Sequence, residues 1–369
     1  MIKILQILPG LSRGGLETFV MNVYRSIDKS NYQFDFLVNC KDGDYKEEII
    51  NMGGRIYYLP PKKFNPIKYN QNLNSFFKKH AFEYTAVHMH DSVLSAIEPL
   101  KYAKKYGIKV RVLHSHSSSV SGNKIHYILH ALKKPVVHTW ATHYLGCSDK
   151  ANKWFYKYTG VLGQSIFVPN GIDVSKYVYN EKIRETIRKG LSIPENHVVI
   201  GHVGRIMWIK NHEFLIDIFN EYHKTNPNST LVLIGTGPLL DRMQNKVKDL
   251  GLEEYVRFTG VRSDINELLQ GLDIFVMPSI YEGLPVVLVE AQAAGLPALV
   301  SDTISKDSKI TNSYYSLNLK DPIPIWCNRI SEIVCTHKRE NTKVILEQRG
   351  FDINTTSKLL TRIYTNSKL

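Results

Sequence analysis

Short apolar runs alternate along this chain with segments whose apolar residues recur every three or four positions, a rhythm that predicts strands and helices taking turns. Residues 2–8 form the first strand-like run, and Leu16, Phe19, Val20, Val23, Tyr24 and Ile27 share one face of the helix expected next. Strand-like runs recur at 32–38, 56–59, 85–90, 110–114 and 144–147, then in a second series at 198–203, 230–234, 256–258, 274–277 and 298–300. Runs that are apolar throughout suit strands covered on both faces, so the pattern predicts parallel sheets between helices. Two doubly wound α/β domains are expected, over 1–174 and 175–351, joined near Pro169-Asn-Gly-Ile-Asp173. Ligands of such sheets bind outside the carboxyl ends of the strands, so both sets of loops are expected to face a central cleft.

Composition changes this picture in two ways. No apolar run reaches the length of a membrane span and the first residues lack a signal-peptide plan, so a cytoplasmic protein is expected. Cys40, Cys147, Cys327 and Cys335 show neither metal-binding nor disulfide spacing. The net charge of +13 is uneven: residues 1–175 hold 23 Lys and Arg against 12 Asp and Glu, and the remainder holds 24 against 22. A positive field of this kind serves nucleic acid, anionic lipid or a phosphorylated substrate. Zinc-finger spacing, aromatic nucleic-acid motifs and a basic tail are all missing, so nucleic acid is not expected.

The stretch with the most chemistry is Pro278-Ser-Ile-Tyr-Glu-Gly-Leu-Pro285 and the helix predicted from Leu284 to Gly295. Pro285 suits a first helical turn, whose free N–H groups attract phosphate. Glu282 before the helix and Glu290 within it add two carboxylates beside one anion site, which suits a sugar and a ribose carried on a diphosphate. Gly14 and Gly15 precede the first helix, where missing side chains let backbone N–H groups approach an oxyanion. Arg205 and Lys210 follow the first strand of the second domain and can bring two cations to one diphosphate.

The histidines admit a second reading. His88-Met-His90-Asp91 and His114-Ser-His116 close predicted strands, where alternate residues face the same way, so His-x-His pairs could hold a metal in a hydrolase. Asp91 is the one carboxylate placed to complete that set. Asp42-Gly-Asp44 reads as a turn and a helix cap.

Arg13-Gly-Gly-Leu-Glu17, Val168-Pro-Asn-Gly-Ile-Asp173, Gly204-Arg205 with Lys210-Asn211, Gly235-Thr-Gly-Pro238, and Glu282-Gly-Leu-Pro285 with Glu290-Ala291 together resemble the retaining GT-B glycosyltransferases of family four. The likeness spans nearly the whole chain. Gly14-Gly-Leu-Glu-Thr18, Met21-Asn22 and Leu113-His-Ser-His-Ser117 are similar to bacterial capsule and exopolysaccharide transferases. The resemblance implies that Glu282 meets the donor sugar's hydroxyls, Glu290 holds the ribose, and Arg205 with Lys210 neutralises the departing diphosphate. It places Gly15, Gly283, Leu284 and Pro285 against the phosphates, Gly260-Val261-Arg262 beside a nucleobase that is usually uracil, and either His114 or His116 near the reacting carbon. It implies transfer with retention, no metal and no other cofactor, and a final helix, about 352–369, that crosses back to the first domain.

The acceptor is expected to be a lipid-linked saccharide. Pro61-Lys-Lys-Phe64, Asn74-Ser-Phe-Phe-Lys-Lys79 and the stretch 122–134 mix cations with apolar residues, as a helix resting on an anionic membrane face would. The rival readings are a GT-B epimerase or phosphorylase, the metal hydrolase, and a non-catalytic binding partner that kept the fold. The tail after Ile325 reads as helical and polar, and 302–315 is left without an element.

Overall fold

The computed structural model describes residues 1–116, 124–282 and 284–366, and the chain divides into two compact units, Met1–Ile172 with Gly350–Leu369 and Asp173–Arg349. In the first, seven parallel strands run in the order β3-β2-β1-β4-β5-β6-β7. They are β1 Ile2–Leu8, β2 Tyr32–Val38, β3 Ile56–Tyr58, β4 Ala86–Asp91, β5 Val110–Ser115, β6 His143–Gly146 and β7 Ile166–Phe167. The second unit holds β8 Val198–Val203, β9 Ser229–Ile234, β10 Val256–Gly260, β11 Ile274–Met277, β12 Ala298–Ser301 and β13 Tyr314–Leu317, parallel in the order β10-β9-β8-β11-β12-β13. In both sheets the order in which strands are added reverses beside the first strand in sequence, between β1 and β4 and between β8 and β11. Such switch points leave a crevice for ligands at the strands' carboxyl ends.

Alternation within β1 shows how the first sheet is covered. Ile4 and Leu8 join a core with Phe19, Phe34, Phe36 and Tyr364, whereas Leu5 and Ile7 join the opposite core with Phe77, Leu100 and Phe155. Successive side chains of a strand point to opposite faces, so each face of this sheet buries its own layer of helices. Gln6 lies on the Ile4 side, polar and 1 % exposed.

The tail departs from the sequence reading. Helix Ile323–Thr336 is not polar: Trp326, Cys327, Ile330 and Ile333 are buried in the second unit's core. Residues 302–315 contribute Tyr314 and Tyr315 to β13, and β7 was likewise not foreseen. Helix Ile353–Tyr364 packs in the first unit against helix Gly15–Ser26, with Ser357 hydrogen bonded to Ser26. A Cβ on Gly171 would stand 2.6 Å from Thr356 Oγ1 and 3.1 Å from Ile353 Cα. The Asn-Gly pair therefore leaves room for the returning helix to pass.

Candidate active site

The second unit builds its site from two loops that leave neighbouring strands, β8 and β11. After β8, Gly204 N donates to Ile234 O and Ile206 N to Thr236 O, each at 2.9 Å. Gly235 has φ +136°, and a Cβ there would stand 2.1 Å from Gly204 O; a Cβ on Gly237 would stand 2.2 Å from Ile206 O. The Gly-Thr-Gly segment is thus glycine because another backbone lies against it. Between the two contacts Arg205 is held out exposed, and it pairs with no carboxylate among the described residues.

The loop then makes a short 3₁₀ turn, Trp208–Lys210, and Asn211 adopts a left-handed conformation at the start of helix His212–Thr225. Asn211 Nδ2 donates to Pro278 O at 3.1 Å and Ile280 N to Ile209 O at 2.8 Å, which fastens this loop to the one after β11. The result places Lys210 Nζ 2.6 Å from Glu282 Oε1, with each side chain 16 % exposed. Partial burial strengthens the pair, and it keeps the carboxylate next to a cation.

Helix Val286–Ala293 begins two residues later than expected. Pro285 stands at its N-cap with extended backbone, φ −69° and ψ 126°, and is not in the first turn. Leu284 is buried ahead of it, and Gly283 lies outside the described residues. Glu290, in the helix's second turn, accepts a 2.6 Å hydrogen bond from Tyr177 Oη. Burial raises the Glu290 carboxyl above its ordinary range and the tyrosine bond partly opposes this. Tyr177 was missed in the sequence because a single tyrosine in a connecting segment carries no periodic signal; its place four residues after Asp173 is the one clue.

Gly260, at φ +68°, accepts from Gly235 N at 2.9 Å and so ties the end of β10 to the same glycine segment. Val261 is exposed, whereas Arg262 folds back in a two-pronged pair with Asp264 at 2.8 and 2.5 Å. His202 was also missed. Its Nδ1 donates to Val276 O at 2.8 Å, and its buried Nε2, like the Lys210 side chain, flanks Gly204.

In the first unit, Gly14 is the N-cap of helix Gly15–Ser26 with extended backbone. A Cβ on Gly14 would stand 2.4 Å from Glu17 Oε2, and a Cβ on Gly15 would meet nothing within 4 Å. Burial pushes the Glu17 carboxyl up. Asp44 Oδ2 accepts from Arg13 N at 2.9 Å, so Asp42-Gly-Asp44 anchors the glycine loop and does not cap helix Lys46–Asn51, whose N-cap is Tyr45.

The four histidines at the ends of β4 and β5 meet on the face that carries Gln6. Register sets Gln6 beside His88 and His90 beside His114. His114 is 0 % exposed, between the edge of Phe19 and the ring of His88, and neither of its ring nitrogens has a hydrogen-bond partner among the described residues. His116, one residue beyond β5, is only partly buried. Desolvation holds His88, His90 and His114 well below the ordinary histidine range and lowers His116 to about 3, so all four are neutral.

Nitrogens of His88, His90 and His114 lie within 4.8 Å of one another, the separation a metal reading needs. Both nitrogens of His90 are already engaged, with Gln6 Oε1 at 2.8 Å and His116 Nε2 at 2.9 Å. Asp91 turns back to accept from Ser92 N and Val93 N, at 2.7 and 3.2 Å. The set as folded does not present three free ligands.

The basic stretches are partly structural. Lys62 and Lys133 both reach the buried Glu98, at 2.7 and 2.6 Å, and Phe77 of the second stretch is fully buried. Phe64, Ile67, Tyr127, Ile128 and Leu132 remain exposed; residues 122 and 123 of the third stretch lie outside the described residues.

Comparison with known proteins agrees with this arrangement. Residues 183–316 match the family described as Glycosyl transferases group 1, and 13–176 match Glycosyltransferase Family 4. A Bacillus subtilis relative with a glycosyltransferase name, EpsF, is 34 % identical over 99 % of this chain and 97 % of its own. The Escherichia coli UDP-Gal:alpha-D-GlcNAc-diphosphoundecaprenol alpha-1,3-galactosyltransferase is 25 % identical over 85 % of this chain and 81 % of its own. Among solved structures, Anabaena HepE in complex with UDP and glucose superposes with a TM-score of 0.80 over 99 % of this chain and 100 % of its own, at 18 % identity.

Proposed function

We propose, for a chain that belongs to the family-four glycosyltransferases, that it moves a hexose or N-acetylhexosamine from a UDP-sugar to a lipid-linked saccharide during capsular or exopolysaccharide synthesis. The observation that carries the reading is the Lys210–Glu282 pair, fixed at the β8/β11 switch point beside an exposed Arg205. Breaking the sugar–phosphate bond builds positive charge on the anomeric carbon and negative charge on the leaving diphosphate. Two cations at the end of β8 lower that barrier by offsetting the charge that builds on the diphosphate. In this reading Lys210 turns from Glu282 toward the diphosphate, Glu282 is released to the sugar's hydroxyls, and Glu290 takes the ribose. The acceptor hydroxyl's oxygen bonds to the anomeric carbon on the face the diphosphate leaves, the diphosphate departs with the bonding pair, and the hydroxyl's proton passes to a departing phosphate oxygen. Arg205 and Lys210 supply the countercharge, so no metal is assigned to the step.

The relative that transfers galactose to a diphosphoundecaprenol-linked sugar supports the class of donor and acceptor. Exposed Tyr127, Ile128 and Leu132 on helix Lys124–Lys133, with Phe64 and Ile67, support a peripheral seat on an anionic membrane for the basic first unit. No described helix is long and apolar enough to cross a membrane.

The test is a thermal-shift panel of nucleotides and UDP-sugars with and without EDTA. A ligand that binds only the native state raises the midpoint. Stabilisation by UDP and one UDP-sugar that survives chelation and is lost in Glu290→Ala is the expected result. A response confined to divalent metal ions would refute it.

A further inference from the structure

A buried glutamine in the middle of a parallel strand is costly unless its amide is fully used. Gln6 is 1 % exposed and uses both ends of its amide: Nε2 donates to Tyr364 Oη at 3.4 Å, and Oε1 lies 2.8 Å from His90 Nε2. Tyr364 Oη in turn lies 2.7 Å from His88 Nδ1. With Nε2 turned to the tyrosine, the Gln6 amide presents its oxygen to His90.

The direction of every later bond follows. An amide oxygen only accepts, so His90 carries its proton on Nε2. Neutral His90 then has a bare lone pair on Nδ1, and the 2.9 Å contact from there requires His116 to carry its proton on Nε2. What remains on His116 is Nδ1, without a proton, on the one ring of the four that reaches past the end of β5.

We propose that Gln6 and His90 are positioning residues that hold His116 in the Nε2–H tautomer, so that its Nδ1 accepts a hydrogen bond from a hydroxyl of the substrate. The proposal rests on the glycosyltransferase reading for the identity of that hydroxyl, but the chain of tautomers is a property of the first unit alone. It separates the two candidate histidines by role: His116 meets substrate, and His114, wholly buried against Phe19, supports the rings around it. It also gives the helix Ile353–Tyr364 a part in the site, since Tyr364 pins the amide that starts the chain.

Histidine-selective ¹⁵N labelling and long-range ¹H–¹⁵N spectra of the full chain read the tautomers directly. His90 and His116 are expected on Nε2–H and neutral from pH 8 to pH 6. His116 found on Nδ1–H, or as imidazolium at pH 6, would overturn the proposal whatever the enzyme transfers. In Gln6→Met, where no acceptor remains for His90, the His116 signals should move toward a mixture of tautomers. Its kcat should fall about tenfold, the worth of one hydrogen bond, with KM for the nucleotide sugar changed less than about threefold. Tyr364→Phe, a milder change that frees the amide to turn, should show the same mixing in part. Unaltered spectra and turnover in both folded variants would remove Gln6 from the role. Full turnover in His116→Ala with wild-type tautomers at His90 would overturn the substrate contact while leaving the glycosyltransferase reading to the UDP panel.

Discussion

Lowering the pH from 7.5 to 5.5 should destabilise the first unit. His88, His90 and His114 are at most 2 % exposed and neutral, with burial depressing each far below the value near 6.5 that it has in an unfolded chain. The unfolded state therefore binds more protons below pH 6.5, and stability is lost as pH falls. Each group contributes about 1 kcal/mol or slightly more over these two pH units, about 4 kcal/mol for the three, and His116 and His130, lowered to about 3 and about 4, add in the same direction. Asp91 works the other way. Burial raises its carboxyl to about 6, so the folded state takes up its proton first, which offsets about 1 kcal/mol. A net loss of at least about 3 kcal/mol is a large part of the 5–15 kcal/mol that usually holds a protein together. Urea titrations at the two pH values, with hydrogen exchange to separate the units, should show the first unit's midpoint fall by about 1–3 M at the usual slopes. A fall below about 0.3 M would refute the neutral, buried assignment.

Three further outcomes follow from the second unit. Arg205→Ala and Lys210→Ala should each lower turnover about a hundredfold; because Lys210 is paired with Glu282 and Arg205 is exposed, only Lys210→Ala should also lower the melting midpoint, and equal melting losses would contradict the pairing. Tyr177→Phe removes the bond that opposes the rise of the Glu290 carboxyl, so UDP affinity measured by calorimetry should fall roughly three- to tenfold, more at pH 6 than at pH 8, as protonation spreads to higher pH. Gly235→Ala, at φ +136° with Gly204 O in the way, should cost about 2–4 kcal/mol in urea denaturation and weaken UDP binding as the Arg205 loop shifts; a loss under about 0.5 kcal/mol would contradict the backbone contact.

The alternation of apolar runs and helical periods was enough to read most of both sheets, because strands buried on two faces announce themselves by composition alone. It failed where that signal is weak. β7 is two residues long, and β13 lies where Ser, Lys and Asp interrupt the apolar pattern at an edge that needs one good face only. Helix Ile323–Thr336 was misread as polar because its burial depends on a few spaced residues, Trp326 above all. At the candidate site, Lys210 and Glu282 stood out in the sequence by charge and position, whereas Gly235 and Gly237 entered only through the family resemblance. What the sequence could not show is partnership across strands. Gln6 looks like a lone polar residue in an apolar run until the register sets it next to His88 and the tail brings Tyr364 over it. The direction of a hydrogen-bond chain is fixed only when both neighbours of each ring are known, and here those neighbours come from β1, β4, the end of β5 and the last helix. The four-histidine signature suggested a metal because side-chain type was all it offered; the bonds to Gln6 and His116 that use up His90 point instead to a tautomer held for a purpose.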